Sequence, residues 1–135
     1  MIAADEPVLL LRVLIAEDVA SSRMLLEGML RKMGHHVVAV SNGVEAVEQV
    51  RKDDFDLVLM DIQMPEMDGR EATRLIRQMP GHKGRVCVIA VSANCDVEMA
   101  EAVTKDGFDD TLVKPIRPAG IAFLINQIMK RGLAT

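Results

Sequence analysis

Hydrophobic positions along this chain follow two alternating rhythms. Residues 8–16, 37–40, 57–60, 86–91 and 111–113 are apolar runs of strand length, rich in Val, Leu and Ile. The long runs lack in–out alternation, which is the pattern of strands buried on both faces of a parallel sheet. Between the runs, apolar residues recur at the 3.6-residue period of a helix. The predicted stripes are Leu25, Leu26, Met29, Leu30 and Met33; then Val44, Val47 and Val50; then Ala72, Leu75, Ile76 and Met79. A modest helix over 97–105 and a last one carrying Ile121, Leu124, Ile125 and Ile128 complete the set. Gly34, Pro80-Gly81, Asp106-Gly107 and Gly132 stand where helices should stop. Asn42 with Glu45, and Asp68 with Glu71, have the spacing of a capping box, and Asp96 caps the fourth helix. Five alternations of strand and helix predict one α/β domain, a parallel sheet with right-handed crossovers and helices on both faces. Its expected extent is residues 8–130, between a frayed stretch over 1–7 and a tail over 131–135.

Composition narrows the class. The chain has 135 residues, enough to bury a core without disulfides or metals. Only Phe55, Phe108 and Phe123 are aromatic, so aliphatic residues must build the core, and the ten methionines serve as flexible filler. A net charge of −4 argues against direct binding of nucleic acid or an anionic membrane. Cys87 and Cys95 lack a metal or redox spacing and fit a reduced, cytoplasmic protein. The run over 8–16, interrupted by Arg12, is too short to span a bilayer. Nothing in the pattern specifies an oligomeric state.

Chemistry collects at strand ends. Glu17-Asp18 follows the first strand, Asp61 ends the third, Ser92 follows the fourth and Lys114 the fifth. In open α/β sheets the carboxyl edge is where ligands bind. Asp61 alone could be a turn former. Three carboxylates converging on one edge would repel each other unless a cation compensates. Oxygen ligands with no His or Cys nearby suit a hard ion such as Mg²⁺. A carboxylate nucleophile, a hard cation, an ammonium and a hydroxyl are the parts that phosphoryl transfer needs.

These clusters resemble the receiver domain of two-component response regulators. The matching pieces are Glu17-Asp18, Met60-Asp61 with Met64-Pro65-Glu66-Met67-Asp68-Gly69, Ser92-Ala93, Gly107-Phe108-Asp109-Asp110 and Lys114-Pro115. They occur in order over residues 12 to about 130, and their wording is most similar to receivers of hybrid sensor histidine kinases. The resemblance implies a flavodoxin-like sheet of order 2-1-3-4-5. It also implies that Asp61 accepts a phosphoryl group from a phosphohistidine of a histidine kinase or histidine phosphotransfer domain. Asp18 and Asp61 would coordinate Mg²⁺, with Glu17 assisting directly or through water and the Gln63 carbonyl completing the protein ligands. Lys114, the Ser92 hydroxyl and the backbone N–H groups of Ile62, Gln63 and Ala93 would hold the phosphoryl oxygens. The same resemblance implies a cis Lys114-Pro115 bond. It further implies that the module catalyses only its own phosphorylation and dephosphorylation, alone or within a hybrid kinase. One position departs from the pattern. Thr111 stands three residues before Lys114, where the family carries an aromatic ring that moves with Ser92. The expected switch therefore has its hydroxyl half, and its conformational readout should be muted.

Other functions meet obstacles in the same residues. A phosphatase with an Asp-x-Asp nucleophile motif needs an acid at position 63, and Gln63 has no proton to give. A flavin or nucleotide binder needs a Gly- or hydroxyl-rich anion loop where Glu17-Asp18 stands. A pseudo-receiver would not need the full set of acidic, Ser and Lys positions. His35, His36 and His82 fall away from the acidic edge, and adjacent residues of an extended chain point apart.

Overall fold

The computed structural model describes residues 10–94 and 96–131. Cys95, Gly132, the N-terminal stretch expected to fray and the expected first two residues of the opening strand lie outside them. In chain order the elements are β1 (Arg12–Ala16), α1 (Ala20–Lys32), β2 (His36–Val40), α2 (Gly43–Lys52), β3 (Leu57–Asp61) and α3 (Gly69–Arg77). A short 3-10 helix (Gly81–Arg85), β4 (Cys87–Ser92), α4 (Val97–Asp106), β5 (Asp110–Val113) and α5 (Pro118–Lys130) follow. The sheet has five strands in the order β2-β1-β3-β4-β5, and every pairing is parallel. The direction of winding reverses between β1 and β3, which opens a crevice at their carboxyl ends.

Strand side chains alternate between two cores. Leu14, Ala16, Val58, Met60, Val88 and Ala90 face α2, α3 and α4, where Val47, Ala72, Ile76 and Met99 meet them. Val13, Ile15, Leu57, Leu59, Ile89 and Val91 face α1 and α5, against Leu26, Leu30, Ile121 and Ile125. β1, β3 and β4 are therefore covered on both sides, which is why they read as unbroken apolar runs.

Several boundaries and faces differ from expectation, each for a local reason. β1 starts at Arg12, where its register with His36 of β2 begins, and Leu10 just before it is half exposed. Leu25 and Val44, expected inward, are 61% and 41% exposed, because the inward arcs centre on Leu26 and Leu30 in α1 and on Val47 and Val50 in α2. α3 ends at Arg77, and Gln78 and Met79 continue in a tighter turn with N–H groups on Leu75 O and Ile76 O. All three expected caps are made: Asn42 to the Glu45 N–H at 2.8 Å, Asp68 to Glu71 at 2.9 Å, Asp96 to Met99 at 3.2 Å. Glu45 reaches back one residue beyond its cap and accepts from the Ser41 N–H.

Arginines on the outer side of α3 grip the end of α4. Asp106, buried, takes Arg70 Nε on one oxygen and Arg74 Nη1 at 2.6 Å on the other. Arg77 donates to Gly107 O, Gly84 O and Val86 O, and pairs with Asp109. Burial pushes the Asp106 carboxyl up, but the hydrogen bonds and charges of Arg70 and Arg74 outweigh it and leave its pKa below the usual value. A carboxyl depressed on folding stabilises the fold above its unfolded pKa, near 3.9, and loses that contribution as pH falls through the folded value. Asp106→Asn is expected to cost about 1.5–3 kcal/mol at pH 7, the range for hydrogen bonds to charged groups. In urea titrations the gap to wild type should narrow below about pH 4 and close beneath the folded pKa. A gap independent of pH would assign the cost to packing.

Candidate functional site

Four loops at the carboxyl ends of β1, β3, β4 and β5 place the site. Glu17 leaves β1 with its N–H still donated to Val40 O, so it remains held at the sheet edge. Its side chain is buried, with Oε2 accepting the Val19 N–H at 3.0 Å. Arg23 of α1 donates Nη1 to Glu17 O at 2.9 Å and closes that turn. Asp18, the next residue, is exposed. Asp61 is the last residue of β3, 5% exposed, with Oδ1 accepting the Gln63 N–H at 2.9 Å.

Lys114 ties these carboxylates together. Its ammonium lies 2.7 Å from Glu17 Oε1 and 2.9 Å from Asp61 Oδ2. Its own N–H donates to Ser92 O at 2.8 Å, and the Lys114-Pro115 peptide bond is cis. Partial burial of Lys114 works against its charge, but the hydrogen bonds to Glu17 and Asp61 prevail and raise its pKa above the ordinary value. The lysine is thus a fixed cation beside Asp61. Ser92 ends β4, buried, its Oγ accepting the Asn94 N–H at 3.2 Å.

Glu17, Asp18 and Asp61 each place one carboxylate oxygen within 4.8 Å of the others. One ammonium against three carboxylates leaves two negative charges uncompensated among these groups. A hard divalent cation fits that balance and that donor set.

The structure brings Glu17, Asp18, Asp61, Gln63, Ser92 and Lys114 to one edge, as the sequence suggests. Ala93 follows Ser92 on an exposed turn. Ile62 differs: its N–H donates to Val91 O at 3.1 Å, prolonging the β3–β4 ladder, so it is engaged away from the Asp61 carboxylate. Thr111 is half buried on β5 beside Ala90. The histidines lie elsewhere. His35 Nδ1 accepts the Leu11 N–H, and His82 pairs with Asp54. Beside Glu17 and Lys114 opens an apolar groove of about 340 Å³ formed by Leu25, Leu26, Met29, Pro115 and Ile116. Sequence reasoning missed one more feature. Glu66 has φ +67°, and its carboxylate accepts Asn42 Nδ2 from the start of α2. Nothing in the loop sequence marks this turn, and the Asn42-Gly43 pair that holds it reads only as the start of a helix.

Comparison with known proteins agrees with this geometry. The chain is 37% identical over 116 residues to the sensor histidine kinase GacS of Pseudomonas protegens, matching 84% of this chain and 13% of GacS. It is 40% identical over 112 residues to the histidine kinase BarA of Escherichia coli, matching 83% of this chain and 12% of BarA. The chain therefore spans only a small part of the curated relatives it matches. Among solved structures, the receiver domain of sensor histidine kinase PA1611 from Pseudomonas aeruginosa superposes with a TM-score of 0.80 at 31% identity, covering 94% of this chain and all of that one. That structure holds a magnesium ion in its active-site cleft. The receiver of a histidine kinase from Syntrophus aciditrophicus gives a TM-score of 0.79 at 28% identity over 88% of this chain and 89% of that one. The match to the receiver-domain family runs over residues 13–126, nearly the whole sheet and its helices, and the chain belongs to the response regulator receiver domain family.

Proposed function

We propose that this chain is a phosphoacceptor module in which Asp61 takes a phosphoryl group from a phosphohistidine on a histidine kinase or a histidine phosphotransfer domain. The observation that carries the reading is the Lys114 ammonium held 2.9 Å from Asp61 Oδ2 inside an acidic, cation-fitting edge. An Asp61 oxygen attacks phosphorus, the P–N bond to imidazole breaks with its electron pair left on nitrogen, and an acyl phosphate forms on Asp61. Lys114 pairs with the incoming phosphoryl oxygens, while the Ser92 hydroxyl and the Gln63 and Ala93 N–H groups donate to them. Asp18, Asp61, Glu17 and the Gln63 carbonyl would hold Mg²⁺, which supplies charge neutralisation at the transferring group. Gln63 offers no general acid, so the chain does not turn over phosphoesters.

The apolar groove beside the site supports a protein donor over a small metabolite, because 61%-exposed Leu25 lines it and flanks the reacting edge. The module works in the cytoplasm, as a stand-alone regulator or as one segment of a hybrid kinase. No helix among the described residues is long and apolar enough to cross a membrane. The net charge of −4 supports a partner that is neither nucleic acid nor an anionic membrane. Thr111 offers less surface to rebury than an aromatic ring, so phosphorylation should change the β5–α5 face little and the loops after β3 and β4 more.

The test is incubation with acetyl phosphate and Mg²⁺ followed by intact-mass analysis. One phosphoryl group per chain is expected. Omitting Mg²⁺, or making Asp18→Ala, should slow incorporation about tenfold or more, since one carboxylate fewer binds the ion less well. Incorporation that ignores both would sink the reading.

A further inference from the structure

The loop that carries Gln63 away from Asp61 is bent in a way its residues do not favour. Glu66 adopts φ +67°, a left-handed conformation uncommon for a residue with a long side chain. The Met67 N–H donates back to Pro65 O at 2.8 Å, which makes Glu66 the centre of a γ-turn of the rare, strained hand. A strained turn persists only when its surroundings over-determine it. Here those surroundings are the start of α2. Asn42 Nδ2 donates to Glu66 Oε1 at 2.9 Å, and the Gly43 N–H donates to Met67 O at 3.1 Å. A Cβ on Gly43 would lie 2.4 Å from Met67 O, so only glycine permits this approach. Asn42 meanwhile caps α2 through its other amide atom, Oδ1, which accepts the Glu45 N–H at 2.8 Å.

We propose that Asn42 is a positioning residue for phosphoryl transfer: through Glu66 it latches the β3–α3 loop and thereby sets the Gln63 backbone beside Asp61. Asn42 touches neither phosphoryl group nor metal. It acts on a loop whose Gln63 N–H already bonds Asp61 Oδ1 and whose Gln63 carbonyl lies among the metal-binding groups of the function proposed above, on which this inference rests. A loop freed at Glu66 can relax its γ-turn. Even a small displacement at Gln63 is felt at a reacting centre that depends on positioning.

The two amide atoms of Asn42 allow the latch and the cap to be separated. Asn42→Asp keeps a capping oxygen, so α2 and the melting temperature should hold, but it loses the donor to Glu66. Glu66→Ala removes the acceptor and leaves the cap untouched. Both variants should lower Mg²⁺ affinity, followed through the Gln63 amide resonance, and slow acetyl phosphate incorporation about three- to tenfold. Both should also speed hydrogen exchange at Gly43. The paired variant Asn42→Asp/Glu66→Gln reverses the polarity of the bond and keeps the net charge, so it should return all three readouts to within about twofold of wild type. A purely electrostatic effect predicts opposite changes, because one single variant adds a negative charge near the site and the other removes one. Opposite changes, wild-type values in either single variant, or failure of the paired variant to recover would overturn the latch. If wild-type protein takes no phosphoryl group, the reading of Asp61 fails, while Mg²⁺ affinity and Gly43 exchange still decide the latch.

Discussion

Asp61→Asn is expected to reduce phosphoryl incorporation to background, at least about a hundredfold below wild type, the scale on which loss of a group acting in the transition state is felt. The amide keeps the shape and one oxygen, so Gln63 N–H retains an acceptor. It removes the charge that makes the oxygen a nucleophile. It also leaves the Lys114 ammonium with one anionic partner in place of two, Glu17 at 2.7 Å remaining. Folding should survive, since one of three crowded carboxylates is gone and the repulsion among them falls. Mg²⁺ affinity should fall with the charge. Incubation with acetyl phosphate, with the modified residue located by mass spectrometry of peptides, reads the outcome directly. Label retained at wild-type level, or found on Asp18, would move the acceptor and overturn the assignment. The same experiment separates Asp61 from Glu17. Glu17 is as buried as Asp61 and also pairs with Lys114, so label found on Glu17 would equally move the acceptor.

What the sequence revealed follows from where the physics is local. β1, β3 and β4 are buried on both faces, and an uninterrupted apolar run is the direct imprint of that burial. The caps at Asn42, Asp68 and Asp96 were legible because each needs only a short side chain three residues from its target. The convergence of Glu17, Asp18, Asp61, Ser92 and Lys114 was legible because parallel topology sends every strand end to one edge. The misses depend on distant partners. Periodicity names a helix face but not where the sheet beneath it ends, so Leu25 and Val44 read as inward. The 3-10 helix Gly81–Arg85 owes its place to Lys83, whose ammonium donates to Val50 O and Asp53 O at the end of α2. The Ile62 N–H continues a ladder beyond Met60, where the apolar run of the third strand ends. Glu66 gave no signal, since a left-handed glutamate is a consequence of its neighbours and not of its own propensity.

Gly69→Ala is expected to destabilise the fold by about 2–4 kcal/mol, against the helix propensity of the new residue. Gly69 is the first residue of α3, directly after the Asp68 cap, and its backbone needs no left-handed conformation. Propensity and the reduced freedom of the unfolded chain would together favour alanine by about 1 kcal/mol. Space decides the other way. A Cβ there would lie 2.0 Å from Asp61 O and 2.8 Å from Met60 Cγ, and the first of these is rigid backbone at the end of the central strand. Either α3 withdraws, uncovering Ala72 and Ile76, or the end of β3 shifts and carries Asp61 away from Lys114. The second route would slow phosphorylation as well as lower stability. Gly28→Ala supplies the control, because it lies inside α1 with nothing within 4 Å of its Cβ position. That change should stabilise by up to about 1 kcal/mol. Urea unfolding of both variants reads the contrast. A Gly69→Ala protein as stable as wild type, with wild-type incorporation from acetyl phosphate, would show that α3 does not press on the Asp61 carbonyl and that the acceptor is held in place by its hydrogen bonds alone.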